Sequence, residues 1–500
     1  MFSKILVANR GEIAVRVQQT LQAMGIATVA VYSDPDTQAP HVRMADEAYP
    51  LRGDTAGDTY LDIDKLLHAA RISGADAVHP GYGFLSENPD FAQACGDAGL
   101  VFIGPSPENM ALLGDKVRAK DAARNAAVPT VPSSPVLGGN VAAAGEFIES
   151  VGLPVMVKAA AGGGGRGLRL VNDAEQLPGI LEIAAREAQS AFGDGRVFLE
   201  KYVERSRHIE FQVAADGHGN VIHLLERECS IQRRHQKIIE ETPAQALSPE
   251  LRKRMGEAAV RLTRQTGYLN LGTVEFLLDD ADQFYFLEMN ARLQVEHPIT
   301  EAVTGLDLVR MQVEIAAGHP LTIRQDDVKA NGHAFECRIY AEDPFDEFIP
   351  STGTLKQWDP PSGPGLRLDS GFVQGQTVSP YYDPMLAKLI AWGPERSVSL
   401  SRMEQALRRF TVLGVTTNIP FLRGVLAHPL VKEGSYDTGL LEEHFDELTP
   451  RLTEDAELVA QAIAALAFGD KVPSSTALRG SSTLRDAAGP WRQAGPWRMS

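Results

Sequence analysis

Between residues 288 and 296, polar side chains alternate with apolar ones. The polar positions are Glu288, Asn290, Arg292, Gln294 and Glu296, and the apolar positions are Met289, Ala291, Leu293 and Val295. In an extended segment alternate side chains point to opposite faces, so the row predicts one face of carboxylates, amides and a guanidinium. Carboxylate and amide oxygens suit Mg²⁺, and the guanidinium suits a carboxylate-like or phosphate-like anion. The alternative is a half-exposed strand with a surface salt bridge.

A hairpin is predicted just before and within this row, over Thr273–Leu278 and Phe284–Met289. Glu275 lies between two apolar residues, so its side chain is expected on the opposite face from theirs. On the return strand, Glu288 and Asn290 are expected to share that face. Three such ligands leave Mg²⁺ with open positions for water and nucleotide phosphates. The alternative is a carboxylate cluster neutralised by the arginine of the row.

A glycine-rich run at 162–167 joins two predicted strands, Pro154–Lys158 and Leu168–Val171. At a hairpin tip, glycines let backbone N–H groups wrap around a phosphate, and Lys158 is placed to offset its charge. No Gly-Lys-Ser/Thr follows the run, so a P-loop is not predicted. The alternatives are a flexible linker and an ordinary lysine at the end of a strand.

The segment at residues 226–237 carries too much charge for a core and too much Gln and His for a plain surface. Three of its side chains are candidates to hydrogen-bond a nucleotide or an acid substrate: Gln232, His235 and Lys237. The alternative is an exposed basic loop. Arg338 alternates with apolar neighbours and is expected to face a cleft. Its alternative is a structural ion pair with Glu336 or another acid.

The elements that must position these residues begin with alternating strand and helix signals. In the first hundred residues, a strand signal at Lys4–Ala8 is followed by a helical one at Glu12–Met24. Repetition of this pattern predicts an open parallel sheet. The first turn lacks G-x-G-x-x-G, so no dinucleotide site is predicted there. From about 115 to 330, hairpins and helices predict an α+β domain.

A third segment, about 331–446, has strand signals at Ala334–Tyr340 and Met385–Ala391 and a helical one at Val398–Phe410. The tail, 447–500, is expected to hold one Ala-rich helix followed by a linker-like stretch. That helix is predicted over Glu454–Phe468.

Composition excludes several classes of protein. The 500 residues carry a formal net charge of −17, which disfavours a nucleic-acid partner. The three cysteines are far apart in the chain, which predicts a reducing compartment. The first residues lack a signal-peptide pattern and no apolar run is long enough to span a membrane, so a cytoplasmic protein with no membrane partner is expected.

Taken together, five motifs closely resemble biotin carboxylase, the ATP-grasp component of biotin-dependent carboxylases. They are Glu-Met-Asn-Ala-Arg-Leu-Gln-Val-Glu-His-Pro (288–298), His-Pro-Gly-Tyr-Gly-Phe-Leu-Ser-Glu-Asn (79–88), Gly-Asp-Lys (114–116), the glycine run and Gln-Arg-Arg-His-Gln-Lys (232–237). The resemblance extends from Ile5 to about His444. It implies a multidomain α/β and α+β fold: a Rossmann-like N-terminal domain (1–114), a central ATP-grasp domain (115–330) with a mobile lid (about 131–203), and a β-rich C-terminal domain (331–446).

The resemblance also implies the reaction and its residues. ATP would phosphorylate bicarbonate to carboxyphosphate, and the carboxyl group would then pass to N1′ of biotin on a carrier. The implied nucleotide contacts are Lys116, Lys158, Gly164, Gly165, Glu200, Lys201, Tyr202, Val203, His208, Gln232, His235, Glu275 and Glu288. The implied ligands of Mg²⁺ or Mn²⁺ are Glu275, Glu288 and Asn290. The implied bicarbonate site is Lys237, Arg292, Gln294 and the Val295 backbone. Glu296 would be the base, and Arg338 would steady the biotin enolate.

The chain departs from the family pattern in two places. Ala160 and Ala161 stand where the family often has another glycine or a serine, which changes loop flexibility but removes no ligand. No Ala-Met-Lys-Met biotinylation motif occurs in the chain. The biotin carrier and the carboxyltransferase are therefore expected on other chains or in a missing C-terminal part. The family resemblance implies a homodimer, and the tail resembles the stretch that follows this component in acyl-CoA carboxylase α subunits.

Two other functions remain possible from the sequence. One is an ATP-grasp ligase that passes the activated acid to an amine other than biotin. The other is a non-catalytic ATP-binding module of a carboxylase assembly. The acyl acceptor stays open among acetyl-, propionyl-, methylcrotonyl- and geranyl-CoA and pyruvate.

Overall fold

The computed structural model describes residues 1–137, 140–161 and 168–448. The predicted phosphate loop, with Gly164 and Gly165, lies outside these residues. The predicted tail helix at Glu454–Phe468 also lies outside them. In the described part of the chain, no helix is both long and apolar enough to cross a membrane.

The N-terminal unit is an open sheet of five parallel strands in the order β3-β2-β1-β4-β5. Its strands are β1 (Lys4–Val7), β2 (Ala27–Tyr32), β3 (Glu47–Pro50), β4 (Ala77–His79) and β5 (Val101–Phe102). Its helices are α1 (Gly11–Ala23), α2 (Pro40–Met44), α3 (Ile63–Ser73), α4 (Pro89–Asp97) and α5 (Pro107–Leu113). The central strand β1 is almost wholly apolar and buried, as expected for a parallel sheet covered on both faces. The predicted parallel sheet is confirmed.

A small antiparallel sheet of three strands follows, in the order β7-β6-β8. It comprises β6 (Val155–Ala159), β7 (Arg169–Val171) and β8 (Val197–Lys201), with helices α6 (Lys116–Asn125), α7 (Val141–Val151) and α8 (Leu177–Phe192) near it in the chain. Apolar residues of α7 and α8 share a core with the sheet, including Ile148, Leu181 and Val157. This core is separate from those of the neighbouring units, so the small sheet packs as a unit of its own.

The largest sheet has eight strands in the order β13-β12-β9-β10-β11-β14-β21-β19. They are β9 (Arg207–Ala215), β10 (Val221–Arg233), β11 (Gln236–Thr242), β12 (Asn270–Leu278), β13 (Phe284–Asn290), β14 (His333–Tyr340), β19 (Leu366–Ser370) and β21 (Met385–Gly393). Antiparallel pairing of β11 with β14 joins strands from before and after residue 330. The central and C-terminal segments therefore share one continuous sheet.

Helices and short strands complete the molecule. The helices are α9 (Pro249–Gln265), α10 (His297–Thr304), α11 (Leu308–Ala316), α12 (Arg396–Arg409), α13 (Ile419–Ala427), α14 (Pro429–Glu433), α15 (Leu440–Glu443) and α16 (Phe445–Leu448). The short strands are β15 (Glu342–Asp343), β16 (Ile349–Pro350), β17 (Gly353–Thr354), β18 (Gln357–Asp359), β20 (Thr377–Val378) and β22 (Thr411–Leu413). The helix predicted at Val398–Phe410 is confirmed as α12.

The row from 288 to 296 is extended only over its first residues, so the single polar face expected of a fully extended row does not form. Strand β13 ends at Asn290, and the chain turns before α10 begins at His297. The backbone N–H of Ala291 donates to Glu87 Oε1 at 2.9 Å instead of continuing the ladder. A carboxylate from the N-terminal unit therefore holds the chain where the strand ends.

The charged segment at 226–237 forms the β10–β11 hairpin, so the alternative of an exposed basic loop is wrong for most of it. Residues 226–231 are buried, and only the tip is open to solvent. At that tip, Arg234 and His235 have φ values of 49° and 64°. Two successive left-handed residues allow a tight turn that matches the twist of the two strands.

Candidate active site

The predicted hairpin brings acidic and amide side chains together at one end of the large sheet. Glu275 on β12 pairs with Glu288 on β13, and Asn290 stands two pairs further along, opposite Thr273. Asn290 Nδ2 donates to Glu275 Oε1 at 2.8 Å. His208 on the next strand, β9, lies with Nε2 2.9 Å from Glu275 Oε2. Glu275 is therefore the centre of the cluster, held by neighbours on both sides.

Lys237 on β11 is surrounded by carboxylates. Its Nζ lies 2.8 Å from Glu275 Oε1 and 2.7 Å from Glu296 Oε1, and it also contacts Glu210. Burial lowers the pKa of Lys237, but the three carboxylates outweigh it and hold the pKa well above its usual value. Lys237 therefore stays charged in a buried position.

Glu296 lies between two cations at the start of α10. Besides Lys237, it accepts from Arg338 Nη2 at 3.0 Å. Burial raises the pKa of Glu296, but the charges of Lys237, Arg338 and Arg227 outweigh it and hold the pKa below its usual range. Glu296 is therefore ionised and able to accept a proton.

Arg338 on β14 faces the same cluster. Its Nε donates to Glu240 Oε1 at 2.7 Å, while its Nη2 donates to Glu296. Both sequence interpretations hold in part, because Arg338 forms ion pairs and also faces the site. The acid it pairs with is Glu240, not Glu336. Burial lowers the pKa of Arg338, but the charges of Glu240 and Glu296 outweigh this effect and hold the pKa well above its usual value. The charge of Arg338 is therefore permanent.

Arg227, which the sequence did not indicate, holds several side chains of this site in place. Its guanidinium is fully buried and donates to five side chains: Glu210 (2.5 Å), Gln212 (2.9 Å), Thr273 (3.2 Å), Gln294 (2.9 Å) and Thr300 (2.9 Å). Gln294 in turn donates to Glu275 Oε1 at 2.7 Å. Arg227 therefore links three strands with the segment that leads into α10.

Arg292 does not share a contact with Glu296, contrary to the prediction that both lie on one strand face. Its Nε donates to Glu87 Oε2 at 2.9 Å and its Nη2 to Asn290 Oδ1 at 3.0 Å. The Val295 carbonyl accepts from Lys388 Nζ at 2.9 Å. Burial lowers the pKa of Arg292, but Glu87 first, and then Glu296 and Glu275, raise it above its usual value, so Arg292 and Glu296 still interact through their charges.

Lysines gather where the small sheet faces the large one. Lys116 Nζ is 3.8 Å from Glu288 Oε2, and Lys158 on β6 contacts Glu200 on β8. Lys120 contacts the same carboxylate and was missed by sequence reasoning. Its position one helical turn after Lys116 on α6 was the available signal. Lys116 thus reaches the acidic cluster, while burial first, and then the charge of Lys116, lower the pKa of Lys158 to about 7.

Five of the implied nucleotide contacts lie at the end of β8 and at the tip of the β10–β11 hairpin. Lys201 Nζ donates to Leu153 O at 2.9 Å, and the Tyr202 N–H donates to Pro154 O at 3.2 Å; Val203 follows directly. Gln232 Nε2 lies 2.7 Å from His208 Nδ1. Burial first, and then the charges of two lysines, lower the pKa of His235, which favours its neutral form.

The fold and the buried site define an enzyme of the ATP-grasp class. Three sequence models match the chain: biotin carboxylase N-terminal domain at residues 1–110, carbamoyl-phosphate synthase L chain ATP-binding domain at 115–324, and biotin carboxylase C-terminal domain at 336–443. The chain belongs to the biotin carboxylase family.

Similar proteins carry related names. A biotin carboxylase from Nostoc sp. is 49% identical, and the match covers 88% of this chain and 99% of the relative. Biotin carboxylase 2 from Bacillus subtilis is 48% identical over 89% of this chain and 100% of that protein. The biotin carboxylase domain dimer of Hydrogenobacter thermophilus 2-oxoglutarate carboxylase, in complex with MgADP, ADP and bicarbonate, has a TM-score of 0.88 and 46% identity. It covers 90% of this chain and 100% of that one.

Proposed function

We propose that this chain carboxylates biotin held on a carrier, using ATP and bicarbonate and passing through carboxyphosphate. The observation that carries the proposal is Glu296 held ionised between Lys237 and Arg338 in a buried site. The similar structure with MgADP and bicarbonate supports it. The reaction is the first half of a biotin-dependent carboxylase cycle.

In the first step, bicarbonate binds to Lys237, Arg292, Gln294 and the Val295 backbone. Glu296 takes the proton of bicarbonate, and the freed oxygen attacks the γ-phosphorus of ATP as ADP leaves. The contacts of Glu296 with Lys237 and Arg338 in the described structure oppose proton transfer, because they favour the charged carboxylate. An anion that shares these cations weakens their hold and raises the basicity of Glu296 as the substrate arrives.

The residues present fit a divalent ion. Glu275, Glu288 and Asn290 offer oxygen donors, which are the ligands that Mg²⁺ or Mn²⁺ accepts from proteins. When bound, the ion supplies positive charge that offsets the charge of the nucleotide phosphates. The side chains of Lys116, at the start of α6, and of Lys158, on β6, contribute to the same end.

In the second step, the bond between the carboxyl carbon and the phosphate oxygen breaks, the carboxyl carbon bonds to N1′ of biotin, and the released phosphate takes the N1′ proton. The biotin enolate that precedes this transfer needs a fixed cation beside it, and Arg338 supplies a charge that is never lost. Since Glu240 and Glu296 hold the guanidinium at two of its nitrogens, its position is defined before biotin arrives.

The remaining predicted contacts belong to the nucleotide. We assign to it the residues that line the small sheet and its junction with the large one: Lys116, Lys158, Gly164, Gly165, Glu200, Lys201, Tyr202, Val203, His208, Gln232, His235, Glu275 and Glu288. The separate core of the small sheet supports a lid over about 131–203. Closure of this lid protects carboxyphosphate from water. The division into domains at about 114, 330 and 446 is part of the same proposal.

The partners are a biotin carrier and a carboxyltransferase, on other chains or in a C-terminal part that follows this sequence. The relatives include the α chains of a propionyl-CoA carboxylase and of a methylcrotonoyl-CoA carboxylase, and one component of a pyruvate carboxylase. The acceptor is therefore set by the carboxyltransferase partner. The similar structure described as a dimer supports a homodimer. Three free, buried cysteines fit the cytoplasm.

The proposal is tested by ADP release from Mg-ATP, measured with bicarbonate alone, with biotin alone and with both. We expect strong stimulation only when bicarbonate and biotin are both present. Release that needs bicarbonate but is indifferent to biotin and to a biotinylated carrier contradicts the second step. Release driven by another amine in place of biotin identifies a different ligase, and binding of Mg-ATP without turnover identifies a non-catalytic module.

A further inference from the structure

Two histidines and a glutamate meet in the C-terminal segment, outside the active site. This C-terminal histidine cluster consists of His428 between α13 and α14, His444 between α15 and α16, and Glu447 in α16. Glu447 Oε2 lies 3.4 Å from His428 Nε2, and Glu447 Oε1 lies 3.3 Å from His444 Nδ1. The centroids of the two imidazole rings are 4.8 Å apart, and the ring planes are inclined by 47°. One carboxylate thus faces two imidazoles at once.

The cluster is anchored on its buried side and adjustable on its open side. His428 is only 9% exposed, and its Nδ1 is buried with no hydrogen-bond partner among the described residues. The polar contact of this ring is therefore the one with Glu447. The side chains of His444 and Glu447 are 28% and 67% exposed, so they can rotate toward an ion from solvent. One fixed ligand and two adjustable ligands therefore form a site that an ion can reach from solvent.

The donor atoms suit a divalent ion with a preference for nitrogen. One donor atom from each of the three residues lies within 4.8 Å of the others. Bonds from Zn²⁺ to imidazole nitrogen and carboxylate oxygen are about 2.0–2.2 Å, so a modest rotation of Glu447 and His444 brings all three around one ion. Imidazole favours Zn²⁺, Co²⁺ and Ni²⁺, while Mg²⁺ prefers oxygen.

We propose that His428, His444 and Glu447 bind a transition-metal ion of the Zn²⁺ type, with the fourth position open to water. The ion is distinct in chemistry from the Mg²⁺ of the proposed reaction. His428 precedes α14, and His444 and Glu447 follow α15. An ion bound by all three therefore links residues 440–448 to the end of α13. Because α15 also packs against β10, the metal stabilises the last described part of the chain against the large sheet.

The test is titration of the full chain with ZnCl₂ by calorimetry and with CoCl₂ by visible spectroscopy, in buffer that contains excess Mg²⁺. The visible absorption of bound Co²⁺ depends on its coordination number and on whether nitrogen ligands are present, so the spectrum reports the ligand set directly. We expect the wild type to bind one equivalent of either ion at the C-terminal histidine cluster. In His428→Ala and in His444→Ala, the affinity of this equivalent falls by about tenfold or more, as does the midpoint shift in thermal unfolding that Zn²⁺ produces.

The matched control is His319→Ala, which removes an exposed histidine elsewhere in the chain and leaves this equivalent unchanged. Glu447→Gln serves if the His428 variant does not fold, because Glu447 is exposed; its Zn²⁺ affinity falls by a similar factor. Biotin-dependent ADP release is unchanged in all four variants, which separates this site from the active site. No Zn²⁺ or Co²⁺ binding by the wild type, or full retention of binding in His444→Ala and Glu447→Gln, overturns the proposal.

Discussion

At the scale of single residues, the active site is a set of buried charges that hold one another in place. Lys237 and Arg338 each contact Glu296 and at least one further carboxylate. Removal of one partner leaves the others unpaired in a site that excludes water, where unpaired charge is costly. Variants must therefore preserve side-chain shape if they are to separate chemistry from folding.

Glu296→Gln keeps the shape of the side chain but removes the proton acceptor. We expect bicarbonate-dependent ADP release to fall by about 10²–10⁴-fold, the usual contribution of a positioned base, with Mg-ATP binding retained. Steady-state ADP release together with calorimetry of Mg-ATP binding measures both. Glu257→Gln, on the exposed face of α9, is the control and keeps full activity. Near-normal turnover in Glu296→Gln rejects the assigned base.

Arg338→Gln separates the two steps. If Arg338 serves only the biotin enolate, this variant keeps the slow, bicarbonate-dependent release of ADP and loses its stimulation by biotin. Glu296→Gln, by contrast, loses both. The ratio of rates with and without biotin is the measurement. Equal loss of both rates in Arg338→Gln shows instead that Arg338 serves the bicarbonate step.

Arg227→Met tests the buried guanidinium beneath the site. The substitution keeps the apolar part of the side chain but removes one of the two buried cations that contact Glu210, the other being Lys237. It also leaves four other buried acceptors without this donor, so the free energy of unfolding should fall by about 3–5 kcal/mol. Urea unfolding followed by circular dichroism provides the value. Arg264→Met, at an exposed position on α9, should change it by less than about 0.5 kcal/mol. A loss in Arg227→Met no larger than in this control contradicts the supporting role.

At the scale of elements, the close approach of α1 to the segment after β19 connects the N-terminal and C-terminal segments. A Cβ atom on Gly371 would lie 2.6 Å from backbone atoms of Gly11 and Glu12. Backbone at the start of a helix cannot move aside as a flexible side chain can. The two segments therefore meet here without room for one extra methyl group.

Gly371→Ala should reduce the free energy of unfolding by about 1–3 kcal/mol, the usual effect of overpacking. Gly179→Ala is the matched control, because Gly179 is in α8 with open space around it; alanine there should be neutral or stabilising by up to about 1 kcal/mol. Both are measured by urea unfolding. An unchanged stability in Gly371→Ala shows that the junction can widen.

The hairpin of β12 and β13 was predictable from sequence because Glu275 and the row after residue 284 follow the two-residue period of a strand. The end of that row was not predictable, because the contact that ends β13 comes from Glu87, far away in the sequence. Arg227 was also hidden, since a run of charges normally indicates a surface and only the surrounding strands bury it. Lys120 was within reach of sequence reasoning, as it follows Lys116 by one helical turn.

At the scale of the whole molecule, stability depends on groups that are buried in their neutral form. Burial lowers the pKa of His79, on β4, to about 4. Between pH 4 and 6.5 the unfolded chain therefore binds more protons at this residue than the folded chain does. The contribution of His79 to the free energy of unfolding falls as the pH drops through that window, and it is complete above about pH 6.5. Buried carboxyl groups with raised pKa, such as Glu228, act in the opposite direction over pH 4.5–7.

A difference between variants isolates the histidine. Between pH 7 and pH 5, the loss in the free energy of unfolding should be smaller in His79→Asn than in the wild type, by about 2 kcal/mol. The Asn oxygen can replace Nδ1, which accepts from the Gly81 N–H at 3.1 Å. His68→Asn, on the exposed surface of α3, should behave as the wild type. Identical pH dependence in His79→Asn and the wild type rejects the lowered pKa.

The continuous sheet places two cations of the site on neighbouring strands, one from each side of residue 330. Lys237 and Arg338 stand on adjacent strands, β11 and β14, whose pairing includes Ile239 with Cys337. Both side chains contact Glu296, at 2.7 Å and 3.0 Å, so in the proposed reaction both steps take place beside the same carboxylate. If the proposed function holds, the carrier delivers its biotin ring to one fixed position beside the sheet, and the unstable intermediate does not have to move to a second site.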